Sequence, residues 1–584
     1  MKSLQRTIGA LALVACAACV PSASAQTLKV LTAGSSAQFG PFAVAAYALA
    51  KSGGVTAFHY TVKSGTCTTG STTCFASIAD SRKVGTATIP NEPGNLWVVW
   101  STNGIWAYLS VDSTVGVRAF QAAPRAKLTL AAAASLPLST TSNYLFWNDS
   151  THDTALTSAV YAALNGKAIT AANTDIRPED ALFATNRALN TLGYGSIADP
   201  RSGHAGQYLI GYPIESKFGT GVANPVSFAI SGADPFSGTT VTPFVTIPVG
   251  AAPIIFLANT NSGAATATAT NVTTANAASL FSGHGNCAGS LVTGVAATAA
   301  LNPILREPLS GTMNTVEYSV FVPGGFSQET GVSNGHVAPP NGNINPLQLP
   351  CGTGHRYRAI GTGDEVKDVQ TQANSIGYSF FSYESTGANA TYRYITLNGI
   401  DPIAATYPTG GALPSCGSGA GFLSCPKAGG TSFPHLRNGT YPAWSIYRVV
   451  TDSAGLANAQ VLATEAQTLV NSTIPDFVPF NPVCAVTASG TNDPGLAVYR
   501  EHYVPSTITT IPDTITLTPK DGPRNTTNVN CTIVRASLPH LTLGGTDPAG
   551  TNTEAGGDVG GGIEGPFSAT HLPTVPGPTQ TSTH

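Results

Sequence analysis

Charged side chains are scarce in this chain. Only 10% of its 584 residues are Asp, Glu, Lys or Arg, and 27 basic against 30 acidic residues leave a formal net charge of −3. No basic stripe exists to neutralise a phosphodiester backbone, so nucleic acid is excluded as a partner. Any anion has to be captured locally, by amides, hydroxyls and one or two arginines, rather than by a general positive field. Metal-ligand spacing is also missing: apart from Cys16-Ala17-Ala18-Cys19 in the N-terminal apolar stretch there is no CxxC and no clustered Cys/His pattern, and the 11 histidines form neither a metal-spaced set nor a triad in a credible context. Gly331-Val332-Ser333-Asn334-Gly335, with His336 beside it, matches a nucleophile elbow in form, yet no strand precedes it and no helix follows. The chain reads as a non-enzyme without metal or cofactor. Long apolar runs are absent too. The longest, Ile247 to Ala258, is interrupted by Pro248, Gly250 and Pro253 and is too short to cross a membrane.

What is present begins with an export signal: Lys2 and Arg6, an apolar stretch from Ile8 to Val20, then Ala23-Ser24-Ala25 before Gln26. Cleavage after Ala25 makes the protein secreted or periplasmic. Leu13-Val14-Ala15-Cys16 also fits a lipoprotein signal, and a lipid anchor at Cys16 is the alternative, with no other contact to a membrane. Of ten cysteines, Cys16 and Cys19 leave with the signal and eight remain, an even number that suggests four disulfides in an exported chain. Near-neighbour pairing is expected because short loops close most readily: Cys67–Cys74, Cys416–Cys425, Cys287–Cys351 and Cys484–Cys531.

The size of the chain, 42% hydrophobic with 62 Gly and 41 Pro, predicts two or more lobes around a large core. Leu28 to Leu31 reads as a strand, Ala33-Gly34-Ser35-Ser36 as a turn and Pro41 to Lys51 as a helix. Phe58 to Val62 alternates like a strand. Leu96 to Trp100 and Ile105 to Leu109 form a hairpin through Asn103-Gly104, and its three Trp read as core rather than as a sugar-binding row. Asp112-Ser113-Thr114 opens a small polar loop after it. A helix over 156–164 and a strand over 168–172 lead into Asn173-Thr174-Asp175, where the carboxylate is either a helix cap or an acceptor in a cleft. Ile247 to Asn259 has the composition of a strand buried on both faces.

The stretch that organises the chain is Arg306-Glu307-Pro308-Leu309-Ser310-Gly311-Thr312. Met313, Val316, Val320 and Phe321 follow at helical spacing, so Ser310, Gly311 and Thr312 sit at a helix start, where amides lack intrahelical acceptors. Such an end attracts an oxyanion, and Arg306 supplies a planar charged fork. Ser-Gly-Thr recurs at Ser64, Ser237 and Ser489, but there without the Arg four residues upstream and the helix downstream. A second helix start at Gly361-Thr362-Gly363, strands at Ser375 to Tyr383 and Tyr441 to Val450, and a helix from Ala457 to Val470 complete the ordered part.

This order of elements resembles the phosphate-binding proteins of bacterial ABC importers. Their Arg-x-x-x-Ser-Gly-Thr loop is similar to Arg306, Ser310, Gly311 and Thr312, and their Gly-Ala-Ser-Asp loop to Ala172-Asn173-Thr174-Asp175. Gly34-Ser35-Ser36, Ile376-Gly377-Tyr378 and Tyr441-Pro442 match three further pieces in the same order. The resemblance implies an α/β fold of the type 2 periplasmic binding protein kind: two α/β sandwich lobes joined by hinge crossover strands, with β-rich insertions and a disordered tail. The implied division is a signal at 1–25, lobe 1 over 26–250 with a hairpin insertion at about 65–150, lobe 2 over 251–434, a return to lobe 1 over 435–540, and a tail over 541–584. Arg306 would carry the opposing charge, while Ser35, Ser36, Ser310, Gly311 and Thr312 would donate hydrogen bonds. Asp175 would accept a hydrogen bond from a protonated phosphate oxygen and repel a fully ionised sulfate. Ser64 and Ser113 are the two candidates for one further serine loop. The implied ligand is inorganic phosphate or a similar oxyanion, and the implied partner an ABC permease. A secreted or surface-attached structural or adhesive protein reusing the fold, with its Trp-bearing insertions and tail as contact surfaces, is the alternative.

Overall fold

The computed structural model describes residues 26–60, 92–130, 158–176, 244–306, 310–321, 349–359, 361–382, 391–413, 433–437, 440–472 and 476–479, with short pieces at 76–79, 83–84, 87–88, 181, 225–227, 324, 498–499, 514–517, 531–535, 567–568 and 579–581. The signal segment with Cys16, Ser64 and the Gly331–Gly335 pattern lie outside these residues. Of the tail expected to lack order, only Phe567–Ser568 and Thr579–Thr581 are described, both in short strands.

Strand β1 (Leu28–Ser35) passes through a 3-10 turn (Ser36–Gln38) into helix α1 (Phe39–Ala50), and β2 (Thr56–Tyr60) follows. The hairpin β3 (Asn95–Ser101) and β4 (Gly104–Val111) leads into α2 (Ser113–Gln121), and β5 (Ala171–Thr174) closes this part. β1 runs parallel to both β4 and β5, so the carboxyl ends of the three strands share one edge. The hairpin is therefore part of the main sheet. Its pairing Ser101↔Gly104 makes Thr102 and Asn103 the turn residues, with Gly104 at φ +142 opening β4. Trp97 and Trp106 are buried, and Trp97 packs on Phe39 and Tyr108 rather than facing solvent. They therefore supply none of the contact surface that an adhesive role would need.

The second half contains β6 (Val245–Asn259), α3 (Thr274–Ser282), β7 (Asn302–Arg306), α4 (Gly311–Val316) continuing as a π turn to Phe321, β8 (Gly354–Ala359), α5 (Gly361–Thr371) and β9 (Ser375–Phe380). β7 is parallel to β8 and β9. β10 (Trp444–Thr451) and α6 (Leu456–Ser472) return to the first half. The continuous order is β8-β7-β9-β6-β10-β5-β1-β4-β3-β2. The fold is thus a mixed α/β architecture with two α/β halves sharing β6 and β10.

β6 makes that sharing possible by its length. Its first part pairs with β10 and its last part with β9, both antiparallel. Two of the three residues that interrupt its apolar run, Pro248 and Gly250, fall at a register shift, where a proline can be tolerated, while Pro253 pairs with Trp444. At Gly250 a β-carbon would lie 2.3 Å from the Phe477 ring, so only glycine fits. Ile254, Ile255, Phe256 and Leu257 are fully buried, each worth about 1.5–3 kcal/mol. The strand expected over 168–172 starts later, at Ala171, because Thr170 is still tying the incoming chain to Leu31.

Cys287 and Cys351 form the disulfide expected from their spacing, while the other three expected pairs involve residues outside those described. It closes a separation of 64 residues, for which loop-closure entropy gives about 4 kcal/mol. Replacing both cysteines with serine is expected to lower the unfolding free energy from denaturant titration by about that amount, with no change in radius of gyration.

Candidate functional site

The two sets of parallel strands end at one place. In an α/β sheet the carboxyl edge of parallel strands, followed by helix amino termini, is where loops converge on a ligand. Here β1 ends at Ser35, β4 is followed by Asp112, β5 is followed by Asp175, and β7 ends at Arg306.

The first half fixes its loops by cross-ties. Gly34, at φ +143, lies so near β5 that a β-carbon would be 1.9 Å from the Asn173 carbonyl oxygen. Tyr108 Oη donates to the Ser35 carbonyl at 2.5 Å, and Ser35 Oγ accepts from the Ala37 amide. Gln38 Nε2 donates to the Thr174 carbonyl, and Asn173 Nδ2 to Gln38 Oε1. Asp175 is then anchored through its main chain. Its amide donates to Ser113 Oγ at 3.1 Å, and its carbonyl accepts from Ser445 Oγ and Arg448 Nη1, both on β10.

The Asp175 carboxyl is buried, and its pKa is raised above 3.8 because burial outweighs the opposing hydrogen bonds from Ser35, Ser113 and Gln38 and the Arg306 charge. Its Oδ1 has no hydrogen-bond partner among the described residues. A folded-state pKa above the unfolded one means that the folded chain keeps this proton longer. The stability it contributes is complete below about 3.8 and is lost as pH rises through the folded value. Asp175→Asn is expected to flatten that part of the pH–stability curve and to stabilise the unliganded chain above it, each tenfold difference in acidity being worth about 1.4 kcal/mol. Denaturant titrations of both proteins from acid to neutral pH measure this.

The second half presents Arg306, whose side chain is only 1% exposed. Nη1 donates to Thr312 Oγ1 at 3.3 Å and to Thr362 Oγ1 at 3.5 Å, Nη2 donates to Asp112 Oδ1 at 3.1 Å, and Nε lies 3.9 Å from Glu365 Oε2. The Ile376-Gly377-Tyr378 strand holds this group in place: the Arg306 amide donates to Tyr378 Oη, and the Tyr378 amide to Glu365 Oε1. Gly377 has to be glycine, since a β-carbon there would be 2.7 Å from Glu365 Oε1.

Ser35, Ser113, Asp175 and Gly311 meet directly; a β-carbon on Gly311 would lie 2.6 Å from Ser113 Oγ and 2.8 Å from Asp175 Oδ2. Arg306 and Thr312 adjoin them, and Ser36 reaches the same edge through Thr362, its Oγ donating to Thr362 Oγ1 at 2.8 Å. Ser310 sits at the same loop, but its Oγ caps α4 by accepting from the Met313 amide. The sequence reading missed three residues of the cluster: Asp112, Thr362 and Glu365. Asp112 reads only as the opening of a small polar loop and Thr362 only as part of a helix start, and the burial of Asp112 and Glu365, at 3% and 0% exposure, is what marks them. The assembled groups are a guanidinium, several hydroxyls, first-turn amides and three carboxyls, of which Asp112 and Glu365 lie against the guanidinium and Asp175 keeps an oxygen without a hydrogen-bond partner among the described residues. That set can bind an oxyanion, and among the described residues no group of three or more His, Cys, Asp or Glu side chains could hold a metal ion.

No family model and no curated protein matches the chain. Solved structures do. The phosphate-binding protein of Stenotrophomonas maltophilia is similar at 13% identity over 76% of this chain and 84% of that one, TM-score 0.32. A phosphate-bound periplasmic phosphate-binding protein designated PfluDING is similar at 12% identity over 80% and 96%, TM-score 0.33. An ABC-type phosphate transport receptor of Vibrio cholerae is similar at 12% identity over 44% and 80%, TM-score 0.24.

Proposed function

We propose that this chain is an extracytoplasmic solute-binding protein that clamps inorganic phosphate, or a closely related oxyanion, between its two halves and delivers it to an ABC permease. The observation that carries the reading is that the charge of Arg306 from one half acts on Asp175 of the other, both buried, with Asp175 Oδ1 lacking a hydrogen-bond partner among the described residues. The guanidinium supplies the opposing charge. Ser35, Ser36, Thr312 and the amides of Gly311 and Thr312 supply hydrogens. Asp175 accepts the hydrogen of a protonated phosphate oxygen, which sulfate lacks at neutral pH. Below its raised pKa, Asp175 is itself a donor, so discrimination against sulfate shrinks in acid. β6 and β10 connect the halves, and hinge bending at these strands is the closing motion.

Calorimetric titration of the full mature chain, refolded after denaturation to strip carried ligand, tests the reading. Saturable heat with phosphate and none with sulfate at neutral pH is the expected result. A folded chain that gives no heat with either anion would sink it.

A further inference from the structure

Arg306 is aimed by its own half and contacted by the other. Thr312 Oγ1 receives Nη1 at 3.3 Å, Glu365 Oε2 lies 3.9 Å from Nε, and Glu365 is in turn pinned by the Tyr378 amide. These groups all belong to the second half, so nothing from the first half is needed to orient the guanidinium. Asp112 nevertheless arrives at Nη2 from the first half, its Oδ1 at 3.1 Å.

Asp112 occupies the N-cap position of α2, where an aspartate ordinarily accepts a hydrogen bond from an amide of its own first turn. It makes no such capping bond and reaches across to the other half. Its carboxylate is nearly as buried as the guanidinium, at 4% side-chain exposure against 1%. A carboxylate also presents a guanidinium with the kind of oxygen edge that a bound oxyanion would present. Ser36 and Thr362 make a second direct contact between the halves beside it, through a hydroxyl pair at 2.8 Å.

We propose that Asp112 is an internal competitor for the ligand: its carboxylate takes the edge of Arg306 that an oxyanion uses, draws the halves together by itself, and is displaced when an oxyanion binds. The inference rests on the oxyanion reading of the site. It makes Asp112 a residue that sets affinity and specificity. A carboxylate ligand offers Arg306 no more than the tethered Asp112 already does, and at a far lower local concentration, so carboxylates are rejected. A tetrahedral dianion brings more charge, and oxygens for Ser35, Thr312 and the first-turn amides as well.

The test uses the full mature chain, Asp112→Asn, which keeps the shape and removes the charge, and Asp112→Ala, which removes the remaining hydrogen bond. Loss of one charge-assisted contact is expected to tighten inorganic phosphate binding roughly tenfold in each variant. Small-angle scattering without phosphate is expected to give a larger radius of gyration for the variants than for the natural chain, most for Asp112→Ala. Weaker or unchanged phosphate affinity in variants that melt as folded proteins would overturn the competitor, as would an unchanged radius. If the natural chain takes up no phosphate, the oxyanion reading fails on that result alone. The scattering comparison then still decides whether Asp112 holds the halves together.

Discussion

Arg306→Ala is expected to abolish phosphate binding at millimolar concentrations and to destabilise the chain by about 3–5 kcal/mol, the cost of stripping the partner from a buried charge. Two carboxylates lean on this guanidinium, Asp112 at 3.1 Å and Glu365 at 3.9 Å, and both are almost fully buried. Without Arg306 they keep their desolvation cost and lose their counter-charge. Arg306→Lys keeps the charge but loses the planar fork, so it should recover part of the stability and little of the binding. Denaturant titration beside calorimetry separates the two effects. Unchanged stability in Arg306→Ala would mean that these carboxylates are not buried against it in solution.

Gly311→Ala should weaken phosphate binding roughly a hundredfold, about 2.7 kcal/mol, while leaving each half folded. Gly311 is not at a positive φ, and alanine suits a first helical turn, so α4 accepts the change locally. The obstacle lies in the other half, where the new methyl would stand 2.6 Å from Ser113 Oγ and 2.8 Å from Asp175 Oδ2. Neither atom can retreat easily, because Ser113 Oγ holds the Asp175 amide and the Asp175 carbonyl is tied to β10. The halves are then propped apart by about the width of a methyl group. Scattering should show a chain more expanded than the natural one with or without phosphate, and Ser113→Gly in the same chain should restore part of the affinity. Full affinity in Gly311→Ala would remove direct contact between the halves from the account of the site.

Much of this architecture is legible in the residues. Leu28 to Leu31, the 96–109 hairpin and the long run to Asn259 announce strands by composition and alternation, and all three lie in the main sheet. Met313, Val316, Val320 and Phe321 are all buried, as their helical spacing implies. Two features are not legible in this way. One is the strand carrying Arg306, because Pro303 and its length of five residues leave little pattern to read. The other is the place of the hairpin in the main sheet, since nothing local to Gly104–Val111 reveals that it runs parallel to β1. Parallel pairing has no turn to mark it, and it depends on segments far apart in the chain.

The same distinction separates the residues of the site. Ser35, Asp175, Arg306, Gly311 and Thr312 can be picked out as candidates because a small polar loop between a strand and a helix is a local pattern, written in consecutive residues. Local propensity therefore determined which groups stand at strand ends and helix starts, and which faces are apolar. Tertiary structure alone decided what those groups meet. Asp112 reaches Arg306 across 194 residues and Ser36 reaches Thr362 across 326, and neither spacing leaves any periodic trace. An aspartate before a helix looks the same whether it caps that helix or crosses to another half of the molecule. The difference is made by burial and by the charge it finds there, and both exist only once the chain has folded.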